Sequence, residues 1–132
     1  MADHPNAARI RSLLDAFAAG DIAAIEAQVH PDCVWRFPGR RGALAGVHEG
    51  RDAVFGFFAQ VVGLTDGTFG MDVTDVVAGD ARAVVLFRGH GTRPDGRTLD
   101  NPTSLVIRLD DGQAIEVDEF VWDLDAVEAF WS

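Results

Sequence analysis

The stretch Leu105–Trp122 constrains the fold of this chain more than any other. It reads LVIRL, then DDG, then QAIEVDEFVW. Two runs of alternating apolar and polar residues flank an Asp-Gly pair, the strongest short-range signal for a β-hairpin. Strand side chains alternate with period two, so Ile115, Val117, Glu119 and Val121 share one face, and Glu116, Asp118, Phe120 and Trp122 the other. A single carboxylate, Glu119, thus interrupts a row that is otherwise aliphatic.

A hairpin of this kind needs a core to cover its apolar face. At 132 residues, 48% of them hydrophobic, the chain suits one domain spanning residues 1–132 with one core. The lone cysteine, Cys33, excludes an intrachain disulfide, and no Cys/His spacing suggests a metal site. No apolar run approaches the ~20 residues of a membrane span, and the opening MADHPNAARIRS lacks a signal-peptide apolar stretch, so a cytoplasmic location is expected. The net charge of -10 argues against nucleic acid or an anionic membrane as a partner. No Gly-rich phosphate fingerprint occurs, because GRRGALAG lacks both a preceding strand and a Lys-Ser/Thr ending, and no cofactor is expected.

Upstream of the hairpin the period is helical. Ile10, Leu13, Leu14 and Phe17 form one stripe over 7–20, with Gly20 as the stop. Asp21 can cap a second, short helix holding Ile22, Ile25 and Val29, which Pro31 ends. Cys33–Phe37 alternates as a strand, Pro38–Gly50 reads as a loop, and Asp52–Leu64 as a third helix with Val54, Phe57, Phe58, Val61 and Val62 on its apolar face. From Thr68 the period changes to two, giving strands over 71–78, 83–90, 97–109 and 114–122, and then a last short helical turn. Helices gathered in front of a meander predict an α+β fold, a curved antiparallel sheet wrapped around N-terminal helices.

That order resembles the nuclear transport factor two-like superfamily, and within it the SnoaL-like polyketide cyclase and ketosteroid-isomerase-related group. The resemblance rests on LLDAFAAGDIAAIEAQVHPDCVW, on GRDAVFGFFAQV and on the ending DGQAIEVDEFVWD. It implies a cone-shaped, cystatin-like half-barrel with a pocket at its open end, paired as a homodimer through the sheet. It does not carry over the isomerase's own machinery. Leu13 stands where that family has its oxyanion tyrosine, and Phe37 where it has its general base.

The resemblance turns Asn101, Thr103, Leu105, Ile107 and Leu109 inward, together with Glu119. On the strand before, Val84, Leu86, Arg88 and His90 share a face, and limonene-epoxide-hydrolase-like members place an Arg-x-Asp pair at the matching positions. Arg88, His90, Asn101 and Glu119 are therefore expected to converge from three strands. A carboxylate in an apolar cavity is pushed up by desolvation and pulled down by a guanidinium, and an imidazole beside it titrates near neutrality. The catalytic candidates are Glu119, His90 and Arg88. The alternative is an Arg88–Glu119 ion pair that only satisfies itself, with His90 bonded to backbone.

Trp35, Phe37 and Phe58 are expected as pocket wall or as core, and His48 as a residue closing over a ligand or facing solvent. Cys33 reads as a small core residue. Two function classes follow. One is cofactor-independent acid–base chemistry on a small hydrophobic molecule: isomerisation, cyclisation, dehydration or hydrolysis. The other is a non-catalytic ligand-binding or dimerisation module.

Overall fold

The computed structural model describes residues 4–132. They form α1 (Pro5–Ala19), α2 (Ile22–Gln28), β1 (Val29–Phe37), β2 (Gly46–Glu49), α3 (Arg51–Leu64), β3 (Gly70–Ala78), β4 (Arg82–Thr92), β5 (Thr98–Asp110), β6 (Gln113–Val121) and α4 (Leu124–Trp131). The helix ends follow local chemistry. Gly20 adopts φ +68°, a left-handed conformation that glycine takes without steric cost, and its N–H returns to the carbonyls of Ala16 and Phe17. Asp21 and Asp123 cap α2 and α4, each accepting from the backbone N–H three residues on. α4 has no basic residue in its last turn, and two arginines of the β4–β5 turn replace one. Arg93 donates to the Phe130 carbonyl at 2.7 Å, and Arg97 to those of Ala129 and Ser132 at 2.7 and 2.8 Å.

The strands form one curved, unclosed sheet in the order β2-β1-β6-β5-β4-β3. All neighbours are antiparallel except β1 and β6, which run parallel. The β5–β6 hairpin closes through Asp111 (φ +50°) and Gly112 (φ +79°), the two successive positive φ angles of a type I′ turn. Extra residues on β3 and β6 interrupt the antiparallel ladders, and such bulges bend a strand and increase its twist. Thr74 is extra on β3, between Val73↔Phe87 and Asp75↔Leu86. Ile115 is extra on β6, so Ala114 rather than Ile115 joins the inward row.

Helices α1 and α3 pack against the sheet, and the core lies between them. Along β5 Asn101, Thr103, Leu105, Ile107 and Leu109 are buried, as expected, and Leu99 extends the row. Burying each of the aliphatic ones contributes roughly 1.5–3 kcal/mol. A register slip of one residue would turn this whole row to solvent.

Some expectations fail locally. Val29 opens β1 instead of closing α2, and Ile22 is exposed, because α2 has fewer than two full turns buried and only Ile25 reaches the core. The 38–50 loop contains β2, an edge strand hidden by its polar, glycine-rich composition. Val62 points outward from α3.

Candidate functional site

Between the helices and the inner face of the sheet lies a cavity of about 80 Å³. It is lined by the α1 stripe Ile10, Leu13, Leu14 and Phe17, by Val54, Phe57, Phe58 and Val61 of α3, and by inward residues of the strands. The expected wall residues Trp35, Phe37 and Phe58 are all in it. Its volume is about half that of an engineered 150 Å³ cavity that takes up benzene, so a ring-sized guest requires the wall to give. Among the lining residues Trp35 from β1 and Glu119 from β6 keep partial exposure, and so do Leu13, Leu14 and Phe17 from α1, Phe58 from α3, and Phe69 and Met71 where β3 begins. Phe17 meets Phe58 and Phe69 edge to face, with centroids 5.2 and 6.3 Å apart.

One carboxylate faces this apolar space. Glu119 pairs with Leu105 across the hairpin and lies on the inner face, as strand alternation predicts. The residue is only partly covered as a whole, but protein surrounds its carboxyl group. Desolvation pushes its pKa up from 4.5 to about 7, and one hydrogen bond opposes the shift. That bond comes from the Trp35 indole, whose Nε1–H donates to Glu119 Oε1 at 3.1 Å. The parallel pairing of β1 with β6, Trp35 opposite Val117, brings the two together.

A second polar group faces the same space. Asn101 is 7% exposed, and its Nδ2 donates to Thr103 Oγ1 at 2.8 Å. The Thr103 hydroxyl in turn donates to the Asn101 backbone carbonyl at 3.2 Å. Asn101 Oδ1 is buried without a partner. A buried acceptor left unpaired costs about 1–3 kcal/mol.

The expected convergence with Arg88 and His90 does not occur. Both lie on the outer face of β4: Arg88 bonds Asp100 at 2.7 Å, and His90 sits 3.6 Å from Asp72. The inward row of β4 is Ala83, Val85, Phe87 and Gly89, because these residues pair with Ile107, Leu105, Thr103 and Asn101, and directly paired residues share a face. The Arg88–Glu119 ion pair is therefore absent. Among the described residues, no arginine or histidine lines the cavity. His48 is also outside it. The imidazole Nε2 lies 2.8 Å from the Leu44 carbonyl and the ring packs on Phe57 with centroids 4.8 Å apart, so a local contact occupies it. Cys33 does line the cavity, but burial pushes its thiol up to about 11, which keeps it protonated and inert. No cluster of metal-ligating side chains occurs among the described residues.

The sequence profile of the SnoaL-like domain family matches residues 10–117. The chain belongs to that family. The uncharacterized protein Rv0034 of Mycobacterium tuberculosis is 30% identical over the full length of both chains. Among solved structures, Bal32a from a soil-derived mobile gene cassette is 32% identical, superimposes with a TM-score of 0.91 and is matched over 96% of each chain. A candidate SnoaL-like polyketide cyclase from Jannaschia sp. CCS1 is 23% identical with a TM-score of 0.80, over 100% of this chain and 97% of that one, a likeness of fold.

Within this SnoaL-like domain the arrangement can hold an apolar body against aromatic walls, exchange one proton through Glu119 near neutral pH, and accept one hydrogen bond at Asn101. The α1 stripe and Glu119 were visible in the sequence. The Trp35–Glu119 bond was not, because its partners are 84 residues apart and lie on strands that no hairpin joins. The outward turn of Arg88 and His90 did have a signal. Ala83, Val85, Phe87 and Gly89 form a charge-free row, and such a row is the one a core accepts.

Proposed function

We propose that this protein moves a proton on a small hydrophobic molecule held in the apolar cavity, in an isomerisation, cyclisation, dehydration or hydrolysis that uses no cofactor. Glu119 is the proton carrier. The observation that carries this reading is a single desolvated carboxyl group, with its pKa raised to about 7, facing an otherwise apolar wall. General acid–base catalysis works best when the catalytic pKa lies near the operating pH, and burial supplies that match here. The Trp35 N–H stabilises the carboxylate once a proton has left. Asn101 anchors the molecule at the other end of the cavity. A homodimer packed through the outer face of the sheet, where Phe120 and Trp122 are exposed, and a cytoplasmic location complete the reading. No helix of the described residues is long and apolar enough to cross a membrane.

The second reading is a non-catalytic ligand-binding module of the same fold. What favours it is that no cation among the described residues faces developing negative charge in the cavity.

A carbon-acid assay separates the two without knowledge of the natural substrate. Hydrophobic cyclic ketones such as 2-tetralone are incubated in D₂O, and deuterium uptake at the α-carbon is followed by NMR. The catalytic reading expects uptake well above buffer for wild type, and a loss of roughly a hundredfold or more in Glu119→Gln. Ketones that bind but exchange no faster than in buffer leave the binding-module reading in its place.

A further inference from the structure

The orphaned Asn101 acceptor points to the chemistry of the guest. The geometry points to an elongated, largely apolar ligand carrying a hydroxyl group at the end away from Glu119, with that hydroxyl donating to Asn101 Oδ1. This inference rests on the ligand cavity proposed above and specifies what fills it.

Three observations support it. First, Asn101 is buried in the cavity wall and its Oδ1 has no partner, which is uncommon for a buried polar atom. Second, the neighbouring bonds define which end of the amide is left over. The single hydrogen of the Thr103 hydroxyl goes to the Asn101 backbone carbonyl, so Thr103 Oγ1 receives the amide NH₂ and the amide oxygen remains. A bare acceptor calls for a donor, and in an apolar cavity a neutral hydroxyl supplies one without bringing a charge out of water. Third, the two polar groups are well separated. Glu119 faces Leu105 across the hairpin, and Asn101 lies two inward positions further along β5, so the two side chains leave the sheet roughly 14 Å apart. That span fits a linked or fused polycycle better than a single ring, and a guest of that size requires the wall of the cavity of about 80 Å³ to open well beyond the give that one ring needs. Gly89, directly opposite Asn101, adds no side chain of its own beside the amide.

The test is a matched pair of probes, 4-phenylphenol and its methyl ether 4-methoxybiphenyl. They share a body and differ by one hydrogen-bond donor. Binding is followed by tryptophan fluorescence, because Trp35 and Trp131 both line the cavity. Wild type is expected to hold the phenol about tenfold more tightly than the ether, the scale of one neutral hydrogen bond to an otherwise unpaired acceptor. Asn101→Leu should bring that ratio close to one while still binding the ether. Glu119→Gln should keep the ratio, which separates donation to Asn101 from donation to the carboxylate. Thr103→Val, nearly isosteric, frees the amide to rotate and should lower the ratio, and it gives the same reading if Asn101→Leu does not fold. Equal affinities in wild type, or a ratio that survives in Asn101→Leu and Thr103→Val, overturn the inference while leaving the cavity reading intact. Failure of both probes to bind wild type removes the ligand cavity and the inference with it.

Discussion

The indole N–H of Trp35 donates to Glu119 Oε1 at 3.1 Å across a parallel pair of strands, and it is the hydrogen bond that opposes the desolvation of that carboxyl group. Glu119 is thereby held between two states. Burial favours the neutral acid and the indole favours the anion, with balance at about pH 7.

Replacing Glu119 with glutamine should stabilise the fold at alkaline pH. The carboxyl has a folded-state pKa of about 7 against 4.5 for its ordinary value. The folded protein therefore binds the extra proton, and the associated stability is fully present below pH 4.5 and is lost as pH rises through about 7. The shift corresponds to at most about 3 kcal/mol. Arg88 lies on the opposite face of the sheet, so the amide leaves no buried cation uncompensated. Denaturant midpoints at pH 4.5 and pH 8 check this: the gap between wild type and Glu119→Gln should open in favour of the variant at pH 8. A variant less stable than wild type at pH 8 would show the carboxylate to be a net structural asset.

Trp35→Phe should move the same titration upward. It keeps an aromatic wall against Phe57 and Phe58 but deletes the donor that favours the anion. The midpoint of Glu119, followed by NMR of the labelled carboxyl carbon, is expected above 7. An unchanged midpoint would mean that water replaces the indole in full.

What was legible in the sequence was what neighbours along the chain decide. Asp111-Gly112 specified its turn, Gly20 its helix stop and Asp21 its cap, because each acts within a few residues. Alternation put Glu119 in an aliphatic row, and the family resemblance turned that row inward. The face of β4 was missed although its charge-free row marked it: both rows of that strand contain aliphatic residues, and its pairing with β5 puts Ala83, Val85 and Phe87 in the core and Leu86, Arg88 and His90 outside. The Arg-x-His spacing was read through the hydrolase resemblance, and that favoured the wrong row. Trp35 as a partner of Glu119 needed the parallel β1–β6 contact, which leaves no local mark in the chain.

Arg88→Ala and His90→Ala should therefore be quiet. Arg88 and Asp100 form an exposed pair, and pairs of that kind contribute about 0–1 kcal/mol. Melting temperatures within a degree or two of wild type are expected, together with undiminished α-carbon exchange on any ketone the protein turns over. A collapse of exchange in either variant would bring the outer face of β4 into the chemistry.

Phe120 and Trp122 are 58% and 86% exposed, and Leu86 on β4 and Leu124 at the start of α4 are also uncovered. Aromatic side chains left in water on a sheet mark a surface that associates. Replacing both Phe120 and Trp122 with serine should yield monomers by sedimentation velocity while the melting transition persists. A wild-type protein that already sediments as a monomer would end the expectation of a homodimer.

The cavity wall itself can be tested at Phe37. Phe37 is 8% exposed, packs on Phe57 with ring centroids 5.6 Å apart, and belongs to the cluster that joins α3, α4 and the 38–45 loop. In Phe37→Asp a short carboxyl replaces a phenyl ring and leaves a void, at a point where no cation among the described residues lines the cavity. Two penalties combine: lost burial with a residual void, on the order of 3–5 kcal/mol for a buried aromatic, and the desolvation of a polar group. They separate by pH. The void costs the same at all pH values, whereas a carboxyl raised by burial is tolerated while protonated and penalised as it ionises. The variant should therefore be less stable than wild type throughout, and the deficit should widen from pH 4 to pH 8. Phe37→Ala, which carries the void without the charge, should show a deficit independent of pH. Parallel denaturation curves of the three proteins at the two pH values give the answer. A Phe37→Asp deficit that stays constant with pH would mean that water reaches this wall and solvates the carboxylate, and the apolar character assigned to this end of the cavity would be wrong.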